Sequence, residues 1–137
     1  MEKKAFNTEV PIDYEKALQT LQGQNEVFVK MLHQFQELTL LTVLEQLRDA
    51  YDASDHASFA KLCQTIHGSA GFIGAGPLFH LSEVALARSE KAKSAEMYQL
   101  YPRFVELGCE FRVEAAIRLK LTLSKSWGFY YLAARWR

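Results

Sequence analysis

Hydrophobic residues recur at three- and four-residue steps along most of this chain, the period of helices lying on a core, and no segment alternates in the manner of a half-buried strand. After a polar lead-in of residues 1–11, Ile12-Asp13 opens a short helix. Asp13 is placed to cap it, Ala17, Leu18 and Leu21 give it an apolar side, and Gly23 ends it. Phe28, Met31, Leu32, Phe35 and Leu38, continued by Leu41, Leu44 and Leu47, predict one long helix from about Asn25 to Tyr51, broken by Asp52-Ala53-Ser54-Asp55. A further helix starts near Asp55, with Phe59, Leu62, Cys63, Ile66, Ala70 and Ile73 as one continuous core face. Gly74-Ala75-Gly76-Pro77 predicts a turn, with Pro77 suited to the first position of the next helix. That helix turns Leu78, Leu81, Val84 and Ala85 inward and ends near Lys93. Ser94 can cap a last helix striped by Met97, Leu100, Tyr101, Phe104, Leu107 and Phe111, in which Pro102 either introduces a kink or marks the true start. Long helices joined by short loops predict an all-α fold: an antiparallel four-helix bundle with a short N-terminal helix.

The 137 residues suffice for one domain with a single core, and 49% of them are apolar. Formal net charge is zero, which gives no global reason to expect a nucleic-acid partner. The charge is unevenly placed: residues 1–117 carry 11 Lys/Arg and 16 Asp/Glu, whereas the stretch from residue 118 onward carries Arg118, Lys120, Lys125, Arg135 and Arg137 and no acid. Cys63 and Cys109 lack metal-ligand spacing. Cys63 falls on an apolar helix face and reads as a small buried hydrophobe rather than half of a disulfide. Met1-Glu2-Lys3-Lys4 is not followed by an apolar signal core, and the apolar run around Leu38–Leu44 is too short to span a bilayer. The expectation is a soluble cytoplasmic protein.

Candidate chemistry concentrates in Gln64-Thr65-Ile66-His67-Gly68-Ser69-Ala70-Gly71-Phe72-Ile73-Gly74-Ala75. Gln64, His67, Gly68 and Gly71 lie at i, i+3, i+4 and i+7, on a face distinct from the core stripe. Each glycine inside a helix costs about 1 kcal/mol relative to alanine. Two on one face have two explanations: clearing space for another protein's backbone beside a reactive side chain, or allowing a neighbouring helix to pack closely.

Aligned on Gly68-Ser69-Ala70-Gly71, this stretch resembles the active helix of histidine phosphotransfer (HPt) domains, whose pattern is roughly His, any residue, apolar, Lys or His, Gly, Ser or Ala, any residue, Gly. The resemblance extends over Ile12–Leu121, through Ile12-Asp13-Tyr14-Glu15-Lys16-Ala17-Leu18, Gly23, Phe28-Val29-Lys30-Met31-Leu32-His33-Gln34-Phe35 and Leu78-Phe79-His80-Leu81-Ser82-Glu83. It implies an HPt-like domain over residues 12–124; the basic aromatic tail over 125–137 lies outside the resemblance. It also implies docking of response-regulator receiver domains of two-component phosphorelays, with a hybrid sensor kinase as a further candidate partner. The chain departs from the pattern at one decisive place: Gln64 occupies the phosphoacceptor position. A phosphoramidate needs a nitrogen lone pair, which neutral imidazole has and an amide nitrogen, delocalised into its carbonyl, lacks. His67 falls where the family usually has a cation, from which a protonated imidazole can donate to a phosphoryl oxygen.

Three explanations follow: a pseudo-phosphotransfer module that binds receivers without relaying, a working transfer domain whose acceptor has been exchanged, or transfer through His67, one turn away and about 5 Å along the axis. The first makes Lys61, Gln64, His67, Gly68 and Gly71 a receiver-binding face on a protein that is not itself an enzyme. Lys61, one turn before Gln64, can support acidic receiver contacts, although a plain surface lysine fits its position as well. No cofactor is expected. His33, His56 and His80 fall on separate predicted elements without ligand partners, so no metal site is expected either. The tail, from Ser126-Trp127-Gly128-Phe129-Tyr130-Tyr131 to Arg137, either covers the end of the bundle or offers an amphipathic segment to an anionic membrane or a partner.

Overall fold

The computed structural model describes residues 6–90, 96 and 98–119. All regular structure among the described residues is helical, with no strand. The first helix, α1 (Tyr14–Thr20), is capped by Asp13, whose carboxylate accepts from the Lys16 backbone N–H at 3.1 Å. It ends where Gln22 (φ 56°) and Gly23 (φ 78°) turn left-handed and the Gly23 N–H donates to the Leu18 carbonyl at 2.7 Å.

The predicted long helix forms, but with an internal change of pitch. α2 (Asn25–Gln34) runs through a π turn (Phe35–Thr39) into α3 (Leu40–Asp52) without leaving helical backbone angles. A π turn adds residues to one turn and so rotates everything downstream about the helix axis. The buried stripe therefore passes from Phe28, Leu32 and Phe35 to Leu40, Val43, Leu44 and Leu47. Leu38, expected in the core, is instead 61% exposed, and Leu41 is only half-buried. The same turn buries Gln36, whose amide donates to the Glu37 carboxylate at 3.1 Å.

Next come α4 (His56–Ile73), α5 (Gly76–Glu90) and α6 (Tyr101–Leu119). The last begins at Tyr101, with Pro102 in its first turn, so this proline marks a start rather than a kink. Ring contacts fix the direction of α6. Tyr51 at the end of α3 stacks on Tyr101 at the start of α6 (5.1 Å between centroids), and Phe59 near the start of α4 meets Tyr98 (5.2 Å) and Phe104 (6.4 Å). Midway, Phe35 of the π turn meets Phe111 edge-on at 5.2 Å. At the other end Tyr14 contacts Phe28 (5.9 Å) and the Arg118 guanidinium (4.7 Å), and its hydroxyl donates to Glu114 at 3.5 Å. α6 thus runs against α2–α3 and in the direction of α4. Burial and the neighbouring Glu114 carboxylate push the Tyr14 phenol up to about 12. Arg112 is buried on the inner side of α6; desolvation pulls its guanidinium below its ordinary value, and the charge of Glu37 opposes that.

The lead-in is less polar in structure than in pattern. Phe6 and Pro11 are half-buried, because residues 6–13 cross the α4–α5 turn, and Ile12, which follows the lead-in, is 2% exposed. Cys63 is buried and Cys109 half-buried, both as free thiols. No helix among the described residues is long and apolar enough to cross a membrane. The expected Ser94 cap, Met97 and the basic aromatic tail lie outside the described residues.

Candidate functional site

Three local devices position α4. At its start Asp55 accepts from both the backbone N–H (3.1 Å) and the hydroxyl (2.7 Å) of Ser58, which holds its carboxyl below the usual carboxylate value. Along its length Phe59, Cys63, Ile66, Ala70 and Ile73 are buried, as the periodicity predicts, with Leu62 at the edge of the core. Burial pushes the Cys63 thiol up to about 12, so it stays an unreactive core residue. At its end Gly74 turns left-handed (φ 74°), and its carbonyl accepts from the Asp13 N–H at 2.7 Å, tying the entrance of α1 to the exit of α4.

The outer face of this helix carries Lys61, Gln64, Thr65, Gly68 and Phe72, all exposed. Gln64 makes no side-chain hydrogen bond to a described residue and faces water. The Thr65 hydroxyl turns back to the Lys61 carbonyl at 3.3 Å. A methyl group built on Gly68 would meet nothing within 4 Å, so no neighbouring helix requires a glycine there. Lys61 borders a shallow groove of about 470 Å³ between α3 and α4, whose floor is Ala50, Ala53 and Leu62 and whose rim includes Asp49 and Asp55.

Two of the expected site residues sit differently. Gly71 is buried, not exposed. Seven residues beyond Gln64 it lies about 20° round the helix, on the side where His67 turns toward α5. Burial excludes the open-space explanation for Gly71, whereas that explanation suits Gly68. His67 is half-buried. Its ring stacks on Phe79 of α5 at 4.2 Å and 22° between planes, and its Nε2 lies 3.7 Å from the Glu83 carboxylate, an ion-pair distance too long for a hydrogen bond.

The periodicity also concealed two exposed apolar residues. Phe72 is 51% exposed, four residues beyond Gly68 on the same face, a position the motif spacing reveals once the face is drawn. Leu38 is exposed on the π turn, which has no plain sequence signal. Phe72 borders a small cleft of about 170 Å³ with Met31, Gln34, Phe35, Thr39, Ser69 and Ile73, so the outer face of α4 continues over apolar ground onto the π turn. Of the remaining histidines, His33 and His80 are exposed and His56 packs on Tyr98 at 5.1 Å; no three potential ligands converge on a metal position among the described residues. Comparison with known proteins finds no family model, no curated protein and no solved structure that matches this chain.

Proposed function

We propose that this chain is an HPt-like module that docks receiver domains of two-component phosphorelays on the outer face of α4 and does not itself carry the phosphoryl group. The observation that carries the reading is Gln64: exposed to solvent, with open space over Gly68 one turn away, and with an amide nitrogen that has no lone pair for phosphorus. The fold reading is an antiparallel bundle of four long rods, α2–α3, α4, α5 and α6, with α1 across one end. The direction of α6 given by the ring contacts supports it.

On this reading a receiver seats its backbone over Gly68, with Gln64 as a hydrogen-bonding stand-in for the acceptor imidazole. Phe72 and the cleft it borders with Met31 and Phe35 supply apolar contact beside it, and exposed Lys61 meets the acidic rim of the receiver's active site. His67 serves less well as an alternative acceptor. Its ring is held flat on Phe79 and its Nε2 faces Glu83, whose negative charge repels a phosphoryl group. A working transfer domain with an exchanged acceptor remains the second reading, favoured by the exposure of position 64. Titrating the chain with purified receiver domains tests docking: Gly68→Leu and Phe72→Ser are expected to weaken binding at least about tenfold while the fold is retained. Equal binding by both variants would place the interface elsewhere.

A further inference from the structure

The lead-in is anchored on both sides of the α4–α5 turn. At one end Asp13 binds the Gly74 carbonyl through its N–H and receives the Asn7 N–H on its carboxylate at 2.9 Å. Asn7 in turn accepts from the Glu9 N–H at 2.9 Å, closing a compact arch in which Thr8, Glu9 and Val10 face water. At the other end the backbone passes so close to α5 that a methyl on Gly76 would meet the Asn7 carbonyl oxygen and the Phe6 Cβ, both at 2.8 Å. This approach seats the Phe6 ring edge-on to Phe79, with centroids 5.2 Å apart and planes at 73°.

Phe79 is thus touched twice. Phe6 contacts it from the lead-in, and His67 stacks on it from α4 at 4.2 Å. Glu83, one helical turn beyond Phe79, faces Nε2 of the same imidazole at 3.7 Å. The three rings form a relay from the lead-in to the histidine of the candidate face. An aromatic ring held from one side offers a fixed plane to the ring on its other side, whereas an unsupported ring samples further rotamers and ceases to cover its neighbour.

We propose that Phe6 and Phe79 are positioning residues for His67: the strap formed by residues 6–13 holds the Phe79 ring against the imidazole, keeping His67 down on α5 beside Glu83, and release of the strap frees His67 toward the Gln64–Gly68 face. The positioning itself stands on geometry alone. Its consequence, a second donor for a phosphoryl oxygen of a docked receiver, rests on the proposed function.

The test reads the imidazole directly and needs no receiver. The full chain is treated with diethyl pyrocarbonate, which acylates accessible neutral imidazoles, and the rate at each histidine is followed by mass spectrometry. His33 and His80, both exposed and outside the stack, are internal standards. Phe6→Ala is expected to raise the His67 rate relative to those standards by about two- to tenfold, the span set by loss of one aromatic contact. Phe79→Ala is expected to raise it at least as much, and Phe6→Tyr, which keeps the ring, to leave it at the parental value. Protection of the buried Cys63 thiol from alkylation in each variant establishes that the bundle stays closed; if Phe6→Ala exposes Cys63, Phe6→Leu takes its place with the same expected direction. An unchanged His67 rate in a closed Phe6 variant overturns the relay, as does an unchanged rate in Phe79→Ala. Failure of receiver binding would leave this result untouched and bear on the proposed function alone.

Discussion

Gly68 and Gly74 stand six residues apart in one motif, and alanine is expected to act on them with opposite signs. At position 68 an added methyl meets nothing within 4 Å and the backbone is ordinary α-helix, so Gly68→Ala gains the helix-propensity difference without strain, about 1 kcal/mol. For a domain of this size that raises the melting temperature by about 3–5 °C. At position 74 the backbone is left-handed at φ 74°, and the methyl would lie 2.5 Å from the Asp13 carbonyl oxygen and 3.0 Å from the Ala17 Cβ. The first costs about 1–2 kcal/mol for an L-residue. The second forces α1 away from the turn, adding about 1–3 kcal/mol and straining the 2.7 Å bond from Asp13. Gly74→Ala should therefore lose about 2–5 kcal/mol. Urea unfolding followed by circular dichroism measures both. The functional half concerns the same Gly68→Ala protein: on the proposed function it should be more stable yet bind a receiver domain about tenfold more weakly, because the methyl would stand where the docked partner's backbone is proposed to lie. Destabilisation by Gly68→Ala would mean that a neighbouring helix needs this glycine, and the open-space argument fails. Stabilisation with undiminished binding would leave the glycine without a docking role.

The π turn makes a second pair diagnostic: Leu38→Gln should change unfolding free energy by no more than about 0.5 kcal/mol, whereas Leu40→Ala should cost about 2–5 kcal/mol, and the reverse order would restore the uninterrupted helix that the periodicity suggests. For the α4 cap, a folded-state carboxyl held below its unfolded value stabilises the protein above that unfolded value and ceases to do so as pH falls through the lower, folded one. Asp55→Ala should accordingly melt at a lower temperature than the parent at pH 7, with the gap narrowing below about pH 4; a gap independent of pH would show that the Ser58 contacts do not depend on the carboxylate charge.

The helices and their caps were legible because each rests on local signals. Asp13 and Asp55 each cap the helix that follows, Gly23 and Gly74 take the left-handed backbone that ends one, and the core face of α4 follows from spacing alone. The π turn at Phe35–Thr39 was not legible, because nothing in the local pattern marks it: Leu38 keeps the three-residue step from Phe35 yet is exposed, Leu40 and Val43 are buried in its stead, and Leu44 and Leu47 fall in the core as expected. The site divides in the same way. Exposure of Lys61, Gln64 and Gly68 was readable from the helical period. The stacking of His67 depends on the side from which α5 approaches, and the burial of Gly71 on packing from outside α4; no spacing within α4 encodes either. The lead-in looked polar because its apolar residues, Phe6, Val10 and Pro11, follow no helical or strand period, yet Phe6 packs against Phe79 and the turn that the chain forms some seventy residues later.

In the proposed function Gln64 presents an amide at the position where a transfer protein would present an imidazole. Incubation of the chain with receiver domains phosphorylated from a small-molecule donor, followed by assay for acid-labile phosphate, tests it most directly. The expected result is receiver binding with no label on the parental chain, and label on the Gln64→His variant. Label on the parental chain that disappears in His67→Gln would contradict the account and make His67 the acceptor.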